Sequence, residues 1–163
     1  MAFNAYIHID TIEGESKDAE YTGETEVLQY DMSLSQAVDV SPSTSGSHTA
    51  GKANWTPFTF TKTVDAASPI LVRYCHDGTH VDTVVLSINR AGTEKQKFLE
   101  YTFSNCLIQS VSMGASGGDG LPTETVSIRF GTYKQVYKPT STLDGATMGS
   151  NVAMINLIDG KSS

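Results

Sequence analysis

Apolar and polar residues alternate with a period of two along most of the chain, the signature of half-buried strands. In "FNAYIHID" Phe3, Ala5, Ile7 and Ile9 fall on one face, and Asn4, Tyr6, His8 and Asp10 on the other. "EVLQYDMSLSQ" sets Leu28, Tyr30, Met32 and Leu34 against Gln29, Asp31, Ser33 and Ser35. "TPFTFTKT" turns Phe58 and Phe60 inward and Thr59, Thr61 and Thr63 outward. Three further segments repeat the pattern, on Val84, Leu86 and Ile88, on Leu99, Tyr101 and Phe103, and on Val126, Ile128 and Phe130. The phase loosens after Gly131 through "TYKQVYK", which predicts a bulge or strand bend, and "NVAMINLID" supplies a last extended segment.

One segment breaks the period. In "DAASPILVRYCHDG" Ser68 is a candidate N-cap, Pro69 fits the first helical position and Gly78 is a stop, while Ile70, Leu71, Tyr74 and Cys75 form a helical stripe. The spacing predicts one helix over 68–77. About eight antiparallel strands with one helix form a mainly β fold, a sandwich or a barrel, in a single domain over residues 1–163. Two loops interrupt it. "VSPSTSGSHTAGKAN", 40–54, is long and polar, and "SMGASGGDGLPT", 112–123, is rich in glycine. Loops of that length in compact domains are functional or disordered.

Charge narrows the classes of partner. The chain has 163 residues, 18% of them charged, and a net charge of -7. An acidic surface argues against a phosphate-backbone binder, which needs clustered Lys and Arg, so no nucleic acid is expected. It also disfavours anionic membranes, and no apolar run reaches spanning length, so no membrane insertion is expected. The first residues lack the basic and apolar blocks of a signal peptide. Cys75 and Cys106 are read as free thiols of a cytoplasmic product.

The search for chemistry returns little. Gly46, Gly51 and Lys52 have phosphate-loop spacing, but Ala53 stands where a hydroxyl should hold magnesium, and a strand follows in place of a helix. Cys75, His76, Asp77 and His80 are all metal-ligating types, yet Cys75 belongs to the helical stripe and no second cluster complements them. Glu13 and Glu15 lie in a turn, where solvated carboxylates keep ordinary acidity and make poor general acids. No G-x-S-x-G elbow places a nucleophile. No enzyme, cofactor or metal is therefore expected.

Four stretches, in order along the chain, match a known family. "YIHIDTIEGESKD" resembles its opening strand and G-E-S turn, here Gly14, Glu15 and Ser16, followed by Asp18. "TPFTFTKTVDAASPIL" is similar to its F-x-F-T-K-x-x-D-x-x-S-P-x-L signature, here Phe58, Phe60, Thr61, Lys62, Asp65, Ser68, Pro69 and Leu71. "RAGTEKQKFLEYTFSNCLIQSVS" resembles its paired strands after an A-G turn, and "GLPTETVSIRFGTYKQVYKP" its closing strands, entered through Pro122, Thr123 and Glu124. On these residues the chain resembles the haemolysin-coregulated protein (Hcp) family, the inner-tube subunits of bacterial type VI secretion systems. Tyr21 stands where the family often has a histidine, so no role is carried over to that position.

The resemblance implies a two-sheet β-barrel with one helix on its side, hexameric rings, and rings stacked into a tube. It also implies partners: further copies of the chain, a spike protein, a contractile sheath and small effectors held in the ring. The protein would assemble in the bacterial cytoplasm and leave for the outside or a target cell without a signal peptide. Ring closure needs two different, complementary surfaces on each subunit, and strand edges supply unpaired backbone groups. Candidates for ring or stacking contacts are Glu15, Ser16, Lys17 and Asp18 in the corner, Ser43, Ser45, His48 and Lys52 in the long loop, and Asp119. Lys52 is expected to meet a carboxylate of the Gly14–Asp18 corner in the next ring. Gln29, Asp31, Ser33 and Ser35 are candidates for a wet lumen wall. The competing reading is a stand-alone β-sandwich that binds a peptide or glycan through its loops. Loops 40–54 and 112–123 lack Trp or Tyr for stacking on sugar, which weighs against it.

Overall fold

A computed structural model of the chain describes residues 3–39, 49–90, 96–115, 120–139 and 149–162. Its strands are β1 (Phe3–Ile9), β2 (Thr25–Val27), β3 (Gln29–Asp31), β4 (Leu34–Asp39), β5 (Thr49–Trp55), β6 (Phe58–Thr63), β7 (His80–Arg90), β8 (Lys97–Gly114), β9 (Thr123–Arg129), β10 (Thr132–Tyr137), β11 (Asn151–Asn156) and β12 (Lys161–Ser162). One helix, α1 (Ser68–Asp77), separates β6 from β7. The helix has the bounds the sequence predicts, and Gly78 ends it with φ 65°.

Every strand pairing is antiparallel. The ladders lead from β1 through β7, β8, β9 and β6 to β3, and β2 pairs with β1. Only Leu28 separates β2 from β3, and its N–H donates to the Thr61 carbonyl at 2.8 Å, so the circuit closes as a barrel. β8 is the branch point. Its first half also pairs with β10, which continues into β11 and β12 as an open arm. The resemblance implies two sheets. The ladders run on through β8, so ten strands form one branched sheet and the β4–β5 hairpin forms the second.

Leu28 explains why the pattern of "EVLQYDMSLSQ" misleads. A single strand there would bury Leu28 and Leu34, yet both are about half exposed. At Leu28 the chain passes from β1 to β6 as ladder partner, and the inward phase moves from Val27 to Tyr30 and Met32. The bend expected after Gly131 in "TYKQVYK" is not there, because Thr132–Tyr137 pairs in regular register on both sides; the β8 ladder is interrupted just before it, at Phe130–Gly131, opposite Asn105, whose φ is 56°. The Gly131 N–H donates to the carbonyls of both Ser104 and Asn105 there. Residues 49–54 of the predicted loop 40–54 belong to β5, and residues 40–48 lie outside the described residues.

The inward phases otherwise fill the barrel, with two exceptions on β1: Phe3 at its start is about half exposed, and Tyr6 on the outward phase is buried by stacking on Tyr21. Phe58, Phe60, Leu71, Val84, Leu86, Ile88, Phe103, Val126 and Ile128 are all buried. Burial also pushes the Cys106 thiol up to about 12, which leaves it protonated and inert.

Candidate functional site

Two residues on inward strand phases are charged. Lys62 follows Phe58 and Phe60, Glu124 precedes Val126 and Ile128, and the register sets Lys62 opposite Glu124. Both side chains are fully buried and form an ion pair at 2.6 Å. The Lys62 ammonium also donates to Asp65 Oδ1 at 2.6 Å, the Thr63 carbonyl at 2.9 Å and Ser68 Oγ at 3.1 Å. Ser68 Oγ accepts from the Asp65 N–H at 3.0 Å and donates to Glu124 Oε1 at 2.7 Å.

This network corrects the predicted cap. Ser68 is not the N-cap: Ala67 holds that position without a side-chain cap. The Ser68 hydroxyl is drawn inward by Lys62 and Glu124, and Asp65 Oδ1 accepts from the Ala67 N–H at 2.9 Å in its place. The signature residues Lys62, Asp65 and Ser68 thus tie the start of α1 to the β6–β9 pair. No cleft exposes Lys62 or Glu124 to a substrate, since both are sealed from solvent.

The charged corner is built around a close approach. A Cβ on Gly14 would sit 2.4 Å from Thr25 Oγ1 and 2.6 Å from the Glu24 carbonyl, so only glycine fits. The Gly14 N–H donates to the Gly23 carbonyl at 2.7 Å and the Ser16 N–H to the Glu24 carbonyl at 2.9 Å. Ser16 Oγ accepts from the Asp18 N–H at 3.2 Å, and Asp18 Oδ2 accepts from the Tyr6 hydroxyl at 3.1 Å. Asp18 and Ser16 therefore organise the corner, while Glu15 and Lys17 point into solvent. Tyr21 stacks on Tyr6 with ring centroids 4.6 Å apart and donates to Asn89 Oδ1 at 3.0 Å, a packing role.

Glu24 lies behind this corner with Oε2 buried and without a hydrogen-bond partner among the described residues. Burial raises its pKa above the usual carboxylate value, against the lowering pull of His8 and Lys97. The folded state therefore binds this proton more tightly than the unfolded chain does. The stability tied to this group is fully present below the unfolded carboxyl pKa and is lost as pH rises through the folded value. Glu24→Gln is expected to raise Tm at pH 7, with the gain vanishing below about pH 4. Thermal melts of both proteins across that range check the sign.

The four proposed lumen residues are all exposed, but they do not share one strand. Gln29 and Asp31 lie on β3, Ser35 on β4, and Ser33 in the link between them, where its N–H donates to Thr56 Oγ1 at 2.8 Å. Lys52 is exposed on β5. Ser43, Ser45, His48 and Asp119 lie outside the described residues. Among the described residues, no three His, Cys, Asp or Glu side chains converge as a metal site.

Two concave surfaces were not anticipated from the sequence. One, of about 600 Å³, lies between the β4–β5 hairpin and the β11–β12 arm, with Trp55, Lys52, Arg129 and Lys161 in its wall. The other, of about 330 Å³, includes Glu15, Asp18, Glu26, Asp65 and Lys17. Trp55 joins the cleft to the core: its ring lies 4.9 Å from Tyr133 and 5.8 Å from Phe130. Burial pushes the Tyr133 phenol up to about 12 and raises that of Tyr101 as well, so both stay neutral.

Comparison with known proteins places these features in context. Residues 6–137 match the family model described as type VI secretion system effector, Hcp. The chain is 36% identical over 153 residues to protein hcp1 of Pseudomonas aeruginosa, covering 93% of each. A solved structure of a type six secretion system protein superposes with a TM-score of 0.92 at 27% identity, over 99% of this chain and 100% of the other. Hcp1 from Salmonella typhimurium superposes with a TM-score of 0.80 at 30% identity, covering 100% of both chains.

Proposed function

The chain belongs to the Hcp family of type VI secretion proteins, which are structural and non-enzymatic, and from that premise we propose that it is a ring-forming subunit of the secretion inner tube. The observation that carries this reading is the bare outer edge of the arm. β12 covers only Ile155 and Asn156, so β11 residues 151–154 have no strand partner on that side among the described residues. Val152 and Met154 on the same strand are about half exposed. The β4–β5 hairpin adds exposed Leu34 and Val38 outside the main sheet. Open edges with apolar side chains invite aggregation unless a partner covers them.

In this reading six copies close a ring through the open β11 edge, the hairpin is left for contacts between rings, and rings stack into a tube that passes out of the bacterium with its effectors. Gln29 and Asp31 on the outer face of β3, with Ser33 and Ser35 beside them, form part of the hydrophilic lumen wall. Spike, sheath and effectors are the remaining partners. The assembled protein has one domain and works without a cofactor. Native mass measurement and negative-stain micrographs of the purified protein test the reading. Hexamers with an open centre support it. A monomer that persists at high concentration overturns it in favour of the stand-alone binding module.

A further inference from the structure

The two concave surfaces have opposite charge and lie at opposite ends of one strand pair. β6 and β9 are in register from Phe58↔Ile128 to Thr63↔Thr123. Trp55 and Arg129, in the wall of the larger cleft, flank the first end. Thr63, Asp65 and Leu121, in the wall of the smaller pocket, flank the second. Six residues of strand separate the two ends by roughly 20 Å.

The cleft carries Lys52, Arg129 and Lys161, with no carboxylate among the described residues of its wall. Arg129 is held in place: its Nε donates to Gln109 Oε1 at 2.9 Å and its Nη1 to the Trp55 carbonyl at 3.2 Å. Lys52 and Lys161 are exposed at the rim. Three cations gathered in one cleft are unusual in a chain of net charge -7 with only 11 Lys and Arg. Of the carboxylates lining the opposite pocket, Asp65 is paired with Lys62 and Asp18 accepts from the Tyr6 hydroxyl, while Glu15 and Glu26 are exposed beside Lys17.

We infer that the cleft between the β4–β5 hairpin and the β11–β12 arm receives the acidic corner of a second copy, with Glu15 and Glu26 facing Lys52 and Lys161. The inference rests on the tube reading and supplies the contact that sets one ring on the next. Because donor and acceptor surfaces differ and lie at opposite ends of β6–β9, the contact is head-to-tail. Such a contact propagates and does not stop at a pair. Exposed charges of this kind guide encounter and register, and salt screens them.

Charge reversal of the full-length protein tests this, with rings counted by native mass and stack length read from micrographs. Lys52→Glu with Lys161→Glu is expected to leave rings intact and to shorten stacks at least tenfold, and Glu15→Lys with Glu26→Lys to do the same. All four changes together are expected to restore the stacks. Raising ionic strength from about 0.05 M to about 0.5 M is expected to shorten wild-type stacks. Unchanged stack length in both reversed proteins, with rings present, overturns the inference and leaves the tube reading standing. Absence of rings in the wild type overturns the tube reading itself. Failure of the fourfold variant to restore stacks shows that the two surfaces do not face each other, and also overturns the inference.

Discussion

Lys62→Ala is expected to destabilise the fold by about 3–5 kcal/mol, the usual cost of removing one partner from a buried ion pair. The Lys62 ammonium is the hub for Glu124, Asp65, Ser68 and the Thr63 carbonyl. Without it the Glu124 carboxylate stays sealed in the barrel, supported among the described residues only by the Ser68 hydroxyl, with Oε2 already unpartnered among them. Asp65 loses its strongest contact while it holds the Ala67 N–H at the start of α1. Replacing both charges, as Lys62→Met with Glu124→Leu, is expected to recover most of the loss, since apolar substitutes avoid the desolvation cost. Recovery stays incomplete because Asp65 and Ser68 keep their polar groups without the ammonium. Urea unfolding midpoints at matched protein concentration measure all three proteins. A loss under about 1 kcal/mol for Lys62→Ala would show that the pair adds little to the fold.

The same network shows where the sequence could be read and where it could not. Alternation located β1, β6, β7, β9 and the inward half of β8, because one buried face imposes a strict period of two. α1 was legible through Pro69 and Gly78. The pattern also contained an unused signal, because Lys62 and Glu124 share the inward phase of Phe58–Phe60 and Val126–Ile128. A lysine on an inward phase requires a buried acid, and only cross-strand register reveals which one. Leu28 was misread because a change of ladder partner leaves no mark on hydrophobicity. β5 was hidden because its "TAGKANW" has one large apolar residue and pairs outside the barrel. The charged corner was legible as a turn, but not the division of labour within it. Ser16 and Asp18 close the loop on itself, which leaves Glu15 and Lys17 exposed. The cationic cleft could not be seen, since Lys52, Arg129 and Lys161 come together only through tertiary structure.

Phe103→Ala is expected to cost about 3–5 kcal/mol, and to loosen the outer arm more than the barrel wall. Phe103 is fully buried on β8, opposite Val84 of β7 on one side and Tyr133 of β10 on the other. Its ring centroid lies 4.5 Å from that of Phe58, inside the barrel, and 4.9 Å from that of Phe130, where the chain turns into β10. The arm has little burial of its own: on β10 only Tyr133 is buried, and on β11 no residue is. Its attachment therefore depends on the aromatic chain Phe103–Tyr133–Trp55, and that chain begins at Phe103. Removing the ring leaves a cavity between two sheet branches that cannot collapse independently, because both are hydrogen-bonded to the same strand. Phe103→Leu, which keeps most of the volume, is expected to cost about 1–1.5 kcal/mol. Amide hydrogen exchange on Phe103→Ala separates the two effects. Faster exchange in β10 and β11 than in β1 and β7 is the expected result. Uniform acceleration across all four strands would mean that the arm is held by its backbone ladder alone. The apolar edge of β11 would then be held in place without help from the core.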